Sequence, residues 1–199
     1  LREGFDEFHC ADELPAQGYD MLRDIQVLSP MHRLACGVEN LNKLLQQAVN
    51  PPGPGKGELN LPYQVLRLGD KVMQIRNNYE KGVFNGDIGQ ICELADGKVT
   101  VRYPEQKVVY EAGEGDQLLL AYAMSVHKSQ GSEYPVVILP LVPGHHRMLQ
   151  RNLFYTAITR AKEKVILLGS QAAINTAVGN DRTKKRYSLL AERLKGETC

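Results

Sequence analysis

The chain has 199 residues, room for one ordinary domain carrying a small insertion. Hydrophobic residues make up 43% and charged residues 24%, a globular composition that excludes a disordered or collagen-like chain. Lys plus Arg number 24 against 23 Asp plus Glu; a net charge of +1 points to no partner, so any nucleic-acid surface must come from local clustering.

No apolar run approaches the roughly 20 residues of a membrane span. No signal peptide opens the chain, which begins Leu1-Arg2-Glu3 without Met and reads as a fragment or a processed chain. Cys10, Cys36, Cys92 and Cys199 are scattered without a CxxC pair, so no metal site is expected from them. Lone thiols fit a reducing compartment, and a cytoplasmic location is the expectation.

In chain order, residues 1–20 are polar and read as a leader from an upstream element. Residues 24–29 form a buried strand ended by Pro30. After Gly37, apolar Val38, Leu41, Leu44, Leu45 and Val49 recur at helical spacing and predict an amphipathic helix. Asn50-Pro51-Pro52-Gly53-Pro54-Gly55 stops it. Between 69 and 116 the texture changes to short strands at 72–75, 88–94, 98–103 and 107–110. Asn85-Gly86-Asp87, Asp96-Gly97 and Pro104-Glu105 separate them, and Asn-Gly and Asp-Gly suit tight hairpin turns. This is a small all-β unit, expected to be inserted into a larger domain made of 21–68 and 117–199.

Strands are then predicted at 118–126, 136–139 and 164–168, with helices over 151–162 and 170–178. Apolar strands alternating with helices imply an α/β fold, a parallel sheet covered on both faces and interrupted by the β unit.

Functional groups in an open parallel sheet collect past the carboxyl ends of the strands, where three segments are expected. Pro30-Met31-His32-Arg33 follows the first strand. Residues 125–133, Ser-Val-His-Lys-Ser-Gln-Gly-Ser-Glu, offer hydroxyls, an imidazole, an ammonium and a glycine, the groups a phosphate backbone needs. Arg160, with Thr156 and Thr159 beside it, suits a polyphosphate whose developing charge a guanidinium stabilises. The bland alternatives are a solvated turn and a surface salt bridge. Gly53-Pro54-Gly55-Lys56-Gly57 lacks the first glycine of a phosphate loop and has Gly57 where Ser or Thr binds Mg²⁺, so it reads as a plain loop. No complete nucleotide site is expected in the chain.

Together these motifs resemble a known family. Residues 121–133, Ala-Tyr-Ala-Met-Ser-Val-His-Lys-Ser-Gln-Gly-Ser-Glu, resemble motif V of superfamily 1 helicases, and 152–162, Asn-Leu-Phe-Tyr-Thr-Ala-Ile-Thr-Arg-Ala-Lys, resemble motif VI. Residues 26–31 with Leu41-Asn42 and Leu45-Gln46 are similar to the motif IV region of the RecD-like branch. Gly69-Asp70-Lys71-Val72-Met73-Gln74, Asn77, Tyr79 and residues 84–89 resemble its next characteristic stretch. The resemblance runs from about 21 to 195 in the family's order.

The resemblance implies the second RecA-like motor domain of an ATP-dependent DNA helicase, interrupted by a Src-homology-3-like barrel. Walker A and B would lie on a first motor domain, which would hold most of the ATP and Mg²⁺, leaving this chain alone without ATPase activity. By position, Arg160 would be the catalytic arginine that reaches the γ-phosphate, and Arg33 would share that duty. Leu34 stands where relatives carry glycine, and His32 precedes Arg33. Gln130, Gly131 and Glu133 would face the nucleotide, with Glu133 on the ribose, and Ser125, His127 and Lys128 would hold single-stranded DNA. The family's polarity is 5′ to 3′. The resemblance leaves open whether the protein acts alone or with helicase–nuclease subunits of the exodeoxyribonuclease V type, in DNA repair and recombination. The alternative is a non-motor interaction subunit that docks through the barrel.

Overall fold

A computed structural model describes residues 14–142 and 150–181. Most of the expected leader, Cys10, Cys199 and the last part of the resemblance lie outside the described residues.

The first strand, β1 (Ile25–Ser29), is buried along its whole length, as a strand covered on both faces must be. It lies inside a four-stranded parallel sheet of order β11-β10-β1-β9, made with β9 (Ala123–Ser125), β10 (Tyr134–Leu141) and β11 (Ala161–Gly169). Alternation sorts the side chains by face. Ile25, Val27, Val136 and Ile138 meet Leu41 and Leu45 of helix α1 (Val38–Val49) on one side. Leu28, Val137, Leu139 and Leu141 meet Ala157 of α2 (Arg151–Ile158) and Ala173 and Ala177 of α3 (Gln171–Gly179) on the other. Helices therefore cover both faces, as the sequence implies. Ser170 caps α3, its side chain accepting the Ala173 N–H at 3.2 Å.

Between α1 and β9 the chain builds a separate antiparallel unit. Strands β4 (Lys71–Gln74), β5 (Ile88–Ala95), β6 (Lys98–Arg102), β7 (Lys107–Tyr110) and β8 (Leu118–Leu120) form a sheet of order β7-β6-β5-β4-β8. Asp96 and Gly97 both have positive φ, 51° and 75°, and make the two-residue turn expected between β5 and β6. Its core holds Val72, Ile91, Val99, Val101, Tyr110 and Leu118, each at most 1% exposed.

Three expectations need correction. The single strand predicted over 118–126 is two strands in different sheets: β8 pairs with β4, whereas β9 pairs with β1. Ala121 and Tyr122 join them and are themselves buried, so the apolar run hides the change of sheet. Second, the β unit is larger than 69–116. The hairpin of β2 (Glu58–Leu61) and β3 (Gln64–Arg67) packs Leu59, Leu61 and Leu66 into the same core, and Gln64 accepts the Leu120 N–H at 3.1 Å. Third, the helix predicted over 151–162 stops at Ile158, and β11 begins at Ala161. Thr156 and Thr159 donate their hydroxyls to the carbonyls of Asn152 (2.8 Å) and Tyr155 (3.0 Å), back-bonds that compete with helix continuation.

Two buried polar groups tie the β unit to the parallel sheet. The Lys71 ammonium donates to the Ile25 carbonyl at 3.0 Å, and burial pulls its pKa down to about 8 against the opposing pull of Asp20 and Asp24. Its neighbour Asp70 is fully buried and receives hydrogen bonds from α1, β3 and Tyr122.

Candidate functional site

Parallel strands share one carboxyl edge, and two of the expected segments leave from it. β1 ends at Ser29 and β9 at Ser125, which are register partners. The loop 30–37 follows the first and 126–133 follows the second.

The 126–133 loop starts as a tight turn. Ser125 is 4% exposed; its carbonyl accepts the Lys128 N–H at 3.0 Å and its hydroxyl accepts the same N–H at 3.3 Å. Buried Ser129 donates its hydroxyl to the Val126 carbonyl at 2.8 Å. These serines hold the backbone, while His127, Lys128, Gln130, Gly131 and Glu133 are exposed. Gly131 sits at φ 89° with open space around it, so the backbone there is accessible. Ser125, expected on the strand-facing surface, is instead turned into the loop it anchors.

From Ser125 the loop passes over β1 to the start of β10, because β10 lies on the far side of β1 from β9. In doing so it runs from the carboxyl edge of the sheet to the amino edge. Arg160 stands at that amino edge, one residue before β11, and not past the carboxyl ends as the sequence pattern predicts. The reason is connectivity: α2 delivers the chain into β11, so its last turn meets the strand's beginning. There the Arg160 guanidinium donates to the carbonyls of Thr156 (3.2 Å) and Ser132 (3.3 Å) and to the Thr159 hydroxyl (3.4 Å). Its own carbonyl accepts the Tyr134 N–H at 2.8 Å. None of these partners is a carboxylate, so its charge is held in place without being neutralised. The surface salt bridge that is the bland alternative for Arg160 is absent among the described residues.

Glu133, beside Ser132, faces Lys162 at 3.6 Å, both more than half exposed. Arg33 is exposed at the carboxyl edge and so is not brought to Arg160. The structure thus gathers Arg160, Ser132 and Glu133 at one edge, and Arg33, His127 and Lys128 at the other. Lys56, in the loop that resembles a phosphate cradle, donates to the Asn50 side chain and to the Pro51 carbonyl (2.9 Å), and serves the end of α1. The contribution of Ser132 was not legible in the sequence, because it acts through a backbone carbonyl. A serine closing a buried apolar strand, as Ser125 does at the end of β9, is the available signal for the anchor of this loop.

Leu34 occupies the left-handed region at φ 77° and is 62% exposed. That conformation costs a residue with a Cβ about 1–2 kcal/mol, partly offset by the greater freedom glycine has in the unfolded chain. Leu34→Gly is expected to stabilise the chain by about 0.5–1 kcal/mol, read as a higher urea midpoint. A lower midpoint would mean the exposed leucine makes contacts that outweigh the backbone strain.

Residues 41–103 match the family model of the ATP-dependent RecD-like DNA helicase SH3 domain, and residues 120–168 match the UvrD-like helicase C-terminal domain. The chain is 36% identical over 166 residues to the ATP-dependent RecD2 DNA helicase of Deinococcus radiodurans, covering 83% of this chain and 23% of the relative. It is 31% identical over 171 residues to the RecBCD enzyme subunit RecD of Mycolicibacterium smegmatis, covering 82% and 29%. It therefore spans about a quarter of the length of the curated relatives it matches. Bacteroides Pif1 bound to single-stranded DNA shares the fold, with TM-score 0.55, 20% identity, and coverage of 94% of this chain and 51% of that one. A RecA-like parallel sheet, an inserted Src-homology-3-like unit and relatives of these two kinds converge on one assignment: the chain belongs to the RecD-like family of superfamily 1 helicases.

Proposed function

We propose that the chain is the second motor domain of an ATP-dependent helicase that moves 5′ to 3′ on single-stranded DNA. The observation that carries this reading is the 126–133 loop, which joins the two edges of the sheet. His127 and Lys128 stand at one end of it, and Ser132 receives the Arg160 guanidinium at the other.

In this reading ATP lies at the amino edge, held mainly by a first motor domain that also supplies the Mg²⁺ site. Among the described residues Arg160 has no carboxylate partner, and it fits the terminal phosphate, whose charge it stabilises as it develops. Gln130, Gly131 and Glu133 face the nucleotide from the same loop. Movement of Arg160 on hydrolysis pulls on Ser132, and the short loop passes that shift to His127 and Lys128. Opening and closing of the two motor domains then alternates the grip on the strand, which is stepping.

The test is unwinding by the full-length protein on duplexes carrying either a 5′ or a 3′ single-stranded tail. Strand separation is expected on the 5′-tailed duplex alone, and only with ATP. Separation of the 3′-tailed duplex would reverse the polarity, and failure on both would favour the non-motor subunit that docks through the β unit.

A further inference from the structure

The five-stranded sheet of the inserted unit turns one face to its own core and the other toward the motor sheet. Val72, Ile91 and Val101 point into the inserted unit's core. Their neighbours along each strand alternate to the outer face, where Met73 and Ile88 are register partners and pack against the core that β10, α2 and α3 share. Two residues along on that face, Lys71, Gln90 and Arg102 stand in a row as successive register partners across β4, β5 and β6.

Between this row and the amino edge of the parallel sheet lies a cavity of about 710 Å³, a volume that suits a small organic ligand. Leu22, Ile88, Tyr103, Pro104 and Tyr134 give it an apolar, aromatic wall. Its charged groups do not cancel. The Asp20 carboxylate takes the Leu22 and Arg23 N–H groups (2.9 and 2.8 Å) and the Arg23 guanidinium (3.3 Å), and Glu133 is paired with Lys162. Lys71 and Arg102 have no carboxylate partner among the described residues. Lys71 is 3% exposed, and its ammonium, which carries three N–H donors, meets a single acceptor there, the Ile25 carbonyl. Burial works against that charge, and Asp20 and Asp24 support it only from beyond ion-pair distance.

We propose that this cavity binds a small aromatic phosphate, with its ring on the tyrosine-lined wall and its phosphate between Arg102 and Lys71. An anion supplies what the buried ammonium lacks, a negative charge at close range and acceptors for its remaining N–H groups. The two cations stand two strands apart, about 10 Å, so one phosphate between them reaches both side chains. The Arg102 guanidinium adds a fork that matches two phosphate oxygens at once. Tyr103 and Tyr134 are held by packing and offer ring surface at little cost in side-chain freedom. The site needs neither a DNA strand nor ATP hydrolysis, so it stands apart from the proposed motor function.

The test is saturation-transfer NMR of phenyl phosphate with the full-length protein. Phenyl phosphate is expected to bind with Kd about 1 mM, usual for a ligand of about ten non-hydrogen atoms. Arg102→Ala should weaken it about tenfold, as loss of one charge-assisted contact does, and Arg102→Lys should recover part of that loss. Arg102 is exposed, so its alanine variant should keep the melting temperature and the ATP turnover of the unaltered protein. Lys71→Met should also lose the ligand, but it removes the anchor to Ile25 as well, which makes Arg102→Ala the deciding variant. Phenol, without the phosphate, and inorganic phosphate, without the ring, should each bind about tenfold more weakly or worse. Unchanged affinity in Arg102→Ala would overturn the proposal. Equal binding of inorganic phosphate would overturn it too, since the aromatic wall would then contribute nothing. Displacement of phenyl phosphate by an unphosphorylated oligothymidylate would assign the row to a DNA strand in place of a small molecule. ATP-dependent unwinding can persist in every one of these outcomes, so the motor reading is judged separately.

Discussion

Arg160→Ala is expected to lower ATP turnover by the full-length protein by about 10³–10⁵, the usual worth of an arginine that stabilises a transferring phosphoryl group. Nucleotide affinity should fall far less, because the phosphate cradle belongs to the other motor domain in the proposed arrangement. The geometry explains why one side chain can matter this much. Its guanidinium is already oriented by three neutral oxygens, from Thr156, Ser132 and Thr159, so little reorganisation remains when the transition state forms. No carboxylate pairs with it among the described residues, so its charge is available to a phosphate. Arg160→Lys should recover little, since an ammonium cannot keep a fork of contacts while also reaching an oxygen. The measurements are steady-state turnover at saturating DNA and binding of a fluorescent nucleotide. Turnover within tenfold of the unaltered protein would reassign Arg160 to a structural role, clamping the 126–133 loop to the start of β11.

How much of this was legible in the sequence depends on what each element has to hide. β1 and β10 are read easily, because strands buried on both faces become near-continuous apolar runs. The β2–β3 hairpin carries no such signal, since each strand has four residues and the turn between them is Pro62-Tyr63, without the glycine or asparagine that marks a tight hairpin. The break between β8 and β9 left no trace either, as Ala121 and Tyr122 are as buried as the strands they join. Of the candidate site, the residue types were plain from the motifs, but their distribution over two edges was not. Arg33 and Arg160 each stand beside a strand, and only the order β11-β10-β1-β9 with its parallel directions tells which end of the strand each one meets. Periodicity gives the identity of a strand, whereas the edge at which a loop emerges is a property of connectivity.

Asp70→Asn is expected to destabilise the chain by about 3 kcal/mol, among the larger effects of a single substitution. Asp70 is fully buried, and its two carboxylate oxygens accept four hydrogen bonds. One oxygen takes the Gln46 side-chain N–H at 2.6 Å and the Arg67 backbone N–H at 2.7 Å. The other takes the Asn50 side-chain N–H at 2.6 Å and the Tyr122 hydroxyl at 2.8 Å. Burial and the adjoining Asp70 carboxylate both raise the Tyr122 pKa, which keeps that hydroxyl protonated and donating. These partners come from α1, from the end of β3 and from the link between β8 and β9, so the carboxylate is the point where the inserted unit meets the motor sheet. An amide in its place keeps one acceptor and turns an N–H₂ group toward two donors, leaving buried polar groups unpaired on both sides. For a chain of this size each kcal/mol shifts the melting temperature by about 2–4 °C, so Asp70→Asn should melt about 6–12 °C lower. Tyr122→Phe removes one donor and leaves three, and should cost only about 1 kcal/mol. Combining the two substitutions should cost less than their sum, because both act on the same hydrogen-bond network. Additive losses, or a melting temperature within a degree or two of the unaltered chain in Asp70→Asn, would mean that apolar packing alone fixes the inserted unit to the motor sheet.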